Sequence, residues 1–262
     1  MDASHLAVAD IGNSRIKLAH VGGEGEIGDF ATLEIAKQAE WKHLLRANGF
    51  AESGMRWAIS SVNPGAATAL GRLIDSHRPE SIQWFRSAGD VPVAHRLSHP
   101  ESTGADRALA VVGALRLLNV GEPGIVVSCG TALTVELIDA DHVWLGGAIT
   151  AGLLVISRSL ASQTAQLPEV VPTHEVPPLG TETQSAIRGG VYWSLVGAVR
   201  ELIQQQSTLC GQAKPRIVWT GGDAALIAPA IEGARAHIDD ALVLRGLARV
   251  RVDSIHVDRA DQ

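Results

Sequence analysis

Aromatic residues make up only 4% of this 262-residue chain, and its one Tyr, three Phe and six Trp are too dispersed to form a stacking platform. The basic residues form no run, and a net charge of -6 with mixed signs argues against a partner built of phosphate backbone. Nucleic acid is therefore not expected. Two cysteines, Cys129 and Cys210, give neither a disulfide framework nor metal-ligand spacing, which suits a reducing compartment. The ten histidines include no pair at helical metal-ligand spacing with a third partner. No apolar run reaches the roughly 20 residues needed to span a bilayer. A core strand starting within about six residues of Met1 leaves no room for a targeting peptide, so the expected location is cytoplasmic.

What is present is apolar content, 46% of residues, enough for one large domain or two of ordinary size. The stretch that organises the rest is LAVADIGNSRIKLAHV, residues 6 to 21. Leu6 to Ala9 reads as a buried strand, and Ile16, Leu18 and Val21 supply a returning one. Between them Gly12, Asn13 and Ser14 are turn residues. Gly12 lets a phosphate approach the backbone, and Asn13 and Ser14 add donors. Asp10 at the strand end suits a cation, a metal-bound water or a reacting hydroxyl, and Lys17 supplies a positive point charge. Taken alone, the pattern equally fits an ordinary hairpin with a solvated Asp and Lys.

Further on, residues 24 to 35 predict a strand with a loop, 36 to 49 an amphipathic helix, 56 to 64 a strand stopped by Pro64, 65 to 77 a helix and 81 to 85 a strand. Strand and helix alternate, which predicts an α/β sheet. From Asp106 the apolar positions Leu109, Val112, Leu115 and Leu118 share one helical face, while Ala108, Ala110, Gly113 and Ala114 permit close helix packing. Asp106 and Arg107 thus sit at a helix N-terminus. There Asp106 serves the helix dipole with Arg107 paired to it, or the two act as a general base beside a guanidinium that clamps a carboxylate or phosphate.

Setting Ser128 on Asp10 brings Gly130 onto Gly12, with an apolar run before each turn and a strand pattern after it. This is a weak internal duplication, with Thr131, Ala132 and Thr134 lining the second turn. The Gly146-Gly147 pair suits a tight turn or close backbone approach. Prolines at 168, 172, 177 and 178 make 167 to 183 a loop or a lid, ahead of a helix from about 183 to 206 with Thr183 as N-cap. Residues 214 to 231 read as strand, Gly221-Gly222 turn and helix near Asp223, and 241 to 250 as a closing helix.

Four of these stretches, in this order, resemble the type III pantothenate kinases, members of the acetate kinase, sugar kinase and actin superfamily. They are DIGNSRIK (10 to 17), GADR (104 to 107), CGTALT (129 to 134) and WTGGDA (219 to 224), supported by ISSVNP (59 to 64), GGAITAG (146 to 152) and GTETQSAIRGG (180 to 190). The resemblance implies an α/β fold of two duplicated ribonuclease H-like, actin-like ATPase subdomains, 1–118 and 119–262, with a nucleotide cleft between them. It implies ATP-dependent phosphorylation of pantothenate, the first step of coenzyme A biosynthesis, by a homodimer. Asp106 would be the base, and Gly104, Ala105, Asp106, Arg107 and Thr183 would hold pantothenate. Asp10, Gly12, Asn13, Ser14, Lys17, Thr131, Gly221 and Gly222 would hold ATP, with Mg²⁺ on the Asp10 side.

Three departures stand out. Ser128 replaces an Asp that the family associates with a monovalent cation, K⁺ or NH₄⁺, and its loss weakens the case for dependence on one. Leu97 stands where a Tyr often contacts substrate, and Ala151 replaces a Pro. An ATP-binding regulatory homologue without kinase activity, or a same-fold kinase for another small hydroxy acid, are the alternatives these departures leave.

Overall fold

The structure, a computed structural model, describes residues 5–171, 173 and 176–260, with side chains described as far as 251. It divides into two compact units, one of residues up to 117 together with those from 241 onward, the other of residues 118–240.

In the first unit, β1 (Leu6–Ile11) and β2 (Arg15–Val21) form the expected hairpin, with Asp10 opposite Lys17. β3 (Ala31–Glu34) is shorter than the expected strand, because residues 22 to 26 close a turn through the Gly22 N–H to Glu26 C=O bond. The expected helix from 36 opens as a 3₁₀ segment, Ile35–Glu40, in which Lys37 is non-helical. Only α1 (Trp41–Ala47) is α-helical. β4 (Arg56–Ser61), α2 (Pro64–Asp75), β5 (Ser81–Phe85) and α3 (Ala105–Leu115) follow close to expectation. α2 starts sharply because Pro64 pre-sets the first turn and the Asn63 side chain accepts the Ala66 N–H at 3.0 Å.

In the second unit, β6 (Gly124–Cys129), β7 (Ala132–Ile138) and β8 (Trp144–Ala151) form a meander. α4 (Leu153–Gln163), α5 (Thr183–Thr208), β9 (Arg216–Thr220), α6 (Ala224–Glu232) and β10 (His237–Ile238) complete it. The Gly146-Gly147 pair lies inside β8, not in a turn. Gly146 has φ +119° beside the register shift at Leu137/Ile138, and a Cβ on Gly147 would strike the buried Glu136 carboxylate, which accepts the Trp144 indole N–H at 3.0 Å. Glu182, not Thr183, is the N-cap of α5, because its carboxylate and the Ser185 hydroxyl cap each other's backbone amides. Of the proline-rich loop, Pro172 lies outside the described residues.

The duplication seen faintly in the sequence is plain in the topology. The first sheet runs β3-β2-β1-β4-β5 and the second β8-β7-β6-β9-β10. In each, the first three strands are antiparallel neighbours and the last three parallel. This is an α/β fold of two like-built halves.

One expectation needs correction. The closing helix, α7 (Leu242–Ala260), expected in the second half, 119–262, packs in the first unit, against α3, β1, β2 and β4. The reason is its apolar face. Leu242, Leu244, Leu247, Ala248 and Val250 are buried, and the Arg245 guanidinium donates to the Ile27 carbonyl at 3.0 Å.

Candidate active site

The carboxyl ends of β1 and β4 and the start of α3 meet in the first unit. β1 and β4 are parallel neighbours with Asp10 beside Ser60, and the Val62 amide donates to the Ile11 carbonyl at 3.1 Å, stitching the two strand ends together. Ser61 and Asn63 exchange bonds at 3.1 Å and fix the turn into α2. The Ser60 hydroxyl, fully buried, donates to Asp10 Oδ1 at 2.6 Å.

Asp106 reaches this spot by another route. After β5, the chain segment around Gly104 is held by a bridge to Ser87 and by the Ala88 amide donating to the Thr103 carbonyl at 2.7 Å. Gly104 caps α3, and a Cβ there would collide with Asp106 Oδ1 and come within 3.4 Å of a Val62 methyl. The missing side chain of Gly104 is therefore the room into which the Asp106 carboxylate folds. That oxygen accepts the Arg107 amide at 2.9 Å.

The electrostatics follow from this crowding. Burial lifts the Asp10 carboxyl to about 6, the Ser60 hydrogen bond pulls it down, the Asp106 carboxylate pushes it up and Lys17 draws it down. Two acids share one small space. The Lys17 ammonium also lies 5.0 Å from the centre of the Phe30 ring, so the cation is seated rather than loose.

Of the residues expected from the sequence, Asp10, Lys17, Gly104 and Asp106 are tied into this cluster, and Arg107 is half-buried beside it. Asn13 and Ser14 form the exposed tip of the hairpin. Gly12 closes that turn, its amide donating to the Arg15 carbonyl at 3.0 Å. Ala105, also expected at the substrate, is fully buried in the first turn of α3.

The second unit gathers its own set. Gly130 turns the chain, its amide donating to the Ala132 carbonyl at 3.1 Å, with Thr131 exposed at the tip. Gly152 and Gly221 press onto this turn. A Cβ on Gly152 would strike the Gly130 carbonyl, and one on Gly221, at φ +94°, the Cys129 backbone. Gly222 is exposed beyond it. Ser128 lies between Thr134 and Thr220 on adjacent strands, the counterparts of Lys17 and Ser60 around Asp10. That row is neutral, and the buried Thr134 hydroxyl has no hydrogen-bond partner among the described residues. Thr183 is exposed in the first turn of α5, and its side chain makes no hydrogen bond among the described residues. Among the described residues no group of three or more His, Cys, Asp or Glu could cage a metal ion.

Sequence reasoning carried Ser60 only within ISSVNP (59 to 64) and gave it no role. The signal available was the Ser60-Ser61 pair following the apolar Trp57-Ala58-Ile59, yet its pairing with Asp10 rests on a strand register that no local pattern encodes.

The profile of the type III pantothenate kinase family matches residues 6–205. A type III pantothenate kinase from Janthinobacterium sp. is 36% identical, with 94% of this chain and 97% of the relative covered. One from Nitrosococcus oceani is 32% identical over 97% and 96%. Two solved structures share the fold. A Campylobacter jejuni chain described as a Baf family transcriptional activator has a TM-score of 0.60 at 18% identity, with 95% and 99% covered. A Sinorhizobium meliloti chain described as a 2-dehydro-3-deoxygalactonokinase has a TM-score of 0.58 at 14% identity, with 95% and 98% covered. Motifs at both hairpins, an acid at the head of α3 and a family match along most of the sequence agree: the chain belongs to the type III pantothenate kinase family.

Proposed function

We propose that this chain transfers the γ-phosphoryl group of ATP to the terminal hydroxyl of pantothenate, the first step of coenzyme A biosynthesis. The observation that carries this reading is the family match along residues 6–205, which spans both hairpins and the head of α3. In the reaction the hydroxyl oxygen bonds to the γ-phosphorus as the bond to the leaving ADP oxygen breaks, and the hydroxyl proton passes to the Asp106 carboxylate. Arg107 and Gly104 hold pantothenate, with Thr183 as a further contact. Asp10, Gly12, Asn13, Ser14, Lys17, Thr131, Gly221 and Gly222 hold ATP. Positioning and charge neutralisation do most of the work in such a transfer.

Mg²⁺ fits the Asp10 side. A crowded, desolvated carboxylate next to a second acid is the environment a cation relieves, and Mg²⁺ takes one or two carboxylates plus substrate phosphates rather than a protein cage. Bound there it would offset phosphate charge; Asp10 holds its position and Lys17 adds a fixed positive charge. A carboxylate-bound monovalent cation does not fit position 128, where Ser128, Thr134 and Thr220 offer only neutral hydroxyls. No step is assigned to one.

The same reading includes a homodimer in the cytoplasm. For the location, both cysteines are free thiols, which suits a reducing compartment. A coupled ATP-turnover assay with pantothenate tests the proposal: product forms with the wild type, and Asp106→Asn, still folded, loses roughly 100- to 10,000-fold in kcat. ATP binding without any phosphopantothenate would instead favour a regulatory homologue.

A further inference from the structure

We infer that Ser60 is a positioning residue for phosphoryl transfer: its buried hydroxyl fixes the Asp10 carboxylate so that one oxygen is held and the other is presented to the reacting phosphates. The inference rests on the reading of Asp10 as part of the ATP site.

The geometry is specific. A hydroxyl has one proton to donate, and Ser60 spends it on Asp10 Oδ1 at 2.6 Å, a short, charge-assisted bond. Ser60 is fully buried, so in the native protein its hydroxyl exposes no surface at which water competes for the bond. The two residues are direct neighbours on parallel strands, fixed by the β1–β4 register from Leu6 beside Arg56 to Ile11 beside Ser61. Carboxylate torsions are broad and roughly two-fold. A single strong bond from a rigid strand removes that freedom.

The second half of the molecule shows that the fold does not require such a bond. β6 and β9 are the counterparts of β1 and β4, and they place Ser128 beside Thr220 in the same register position. Neither of those hydroxyls makes a hydrogen bond among the described residues, and the sheet forms all the same. The Ser60–Asp10 bond is thus an addition to the sheet, placed where the first half carries its acid. The Thr at the counterpart position also shows that the extra methyl of a β-branched hydroxyl residue suits this kind of strand end.

Three variants of the full-length protein test this: Ser60→Ala, Ser60→Thr and Asp10→Asn, each assayed for kcat and for KM of ATP and pantothenate, and each melted. Ser60→Ala is expected to lower kcat by about 10- to 100-fold with both KM values within about threefold of wild type, as the loss of a bond to a charged group predicts. Ser60→Thr restores most of it. The inference is overturned if Asp10→Asn is inactive while Ser60→Ala turns over within about twofold of wild type. It is also overturned if the Ala and Thr variants fall equally while melting like wild type, or if the lost turnover of Ser60→Ala matches its lost folded fraction. An Asp10→Asn protein with wild-type turnover would instead remove Asp10 from the site.

Discussion

Gly113 of α3 and Gly246 of α7 let their two helices touch backbone to backbone: a methyl on Gly113 would strike the Leu242 carbonyl, and one on Gly246 the Leu109 carbonyl. Alanine is the better helix former by about 1 kcal/mol, so an exposed glycine would gain from the exchange. Here the collision decides. Gly113→Ala and Gly246→Ala are each expected to cost about 1–3 kcal/mol in urea unfolding. The double variant should depart from additivity, since both changes force the same helix pair apart. A stability gain from either single variant would contradict the packing.

Asp10 gives a pH signature. Its folded carboxyl titrates near 6, above the ordinary 3.8, chiefly because it is buried. The fold therefore binds the proton more tightly than the unfolded chain does, and ionisation above about pH 6 works against folding. Lowering the pH stabilises the protein relative to Asp10→Asn, by about 1 kcal/mol at pH 5 and up to about 3 kcal/mol once below the unfolded value. Denaturant melts of both proteins at about pH 7.5 and pH 5 measure the difference. An unchanged gap between them would mean that Asp10 does not titrate as described.

Ser128 makes a prediction about salts. With no carboxylate in the row of Thr134, Ser128 and Thr220, exchanging K⁺ for Na⁺ at constant ionic strength should alter turnover by less than about twofold. Ser128→Asp should introduce a dependence that the natural chain lacks. A strong K⁺ requirement in the wild type would show that other oxygens do the work.

Cys129 should be inert. Burial, aided by the Asp223 charge, pushes its thiol up to about 12, and Cys210 is raised as well. A thiolate-seeking alkylating reagent near neutral pH should leave Cys129 unmodified in the native protein and label it only after unfolding. Mass spectrometry of the labelled peptides reads the outcome. Native labelling of Cys129 at the denatured rate would contradict its burial.

What was legible in the sequence was local. The β1–β2 hairpin followed from two apolar runs around Gly12-Asn13-Ser14, and α2 from the helical spacing of Leu70, Leu73 and Ile74, though not its Asn63 cap. The duplication could be glimpsed because Gly130 falls on Gly12 when Ser128 is set on Asp10. Nonlocal relations stayed hidden. The apolar face of α7 announced burial but not which core it would enter, and Ser60 gave no hint that strand register would set it beside Asp10. The glycines of β8 left a tight turn and a close approach open, because sequence cannot reveal that a buried Glu136 occupies the space a side chain would need.

The placement of α7 also bears on how the protein is made. The first unit is stitched from two stretches far apart in the chain, whereas the second is one unbroken stretch. On a ribosome, the nascent first sheet must wait, its α3 and β1 surfaces uncovered, until translation reaches Leu242 and the residues after it. The stretch that forms the second unit can mature first, and the first unit is completed only once α7 has been synthesised.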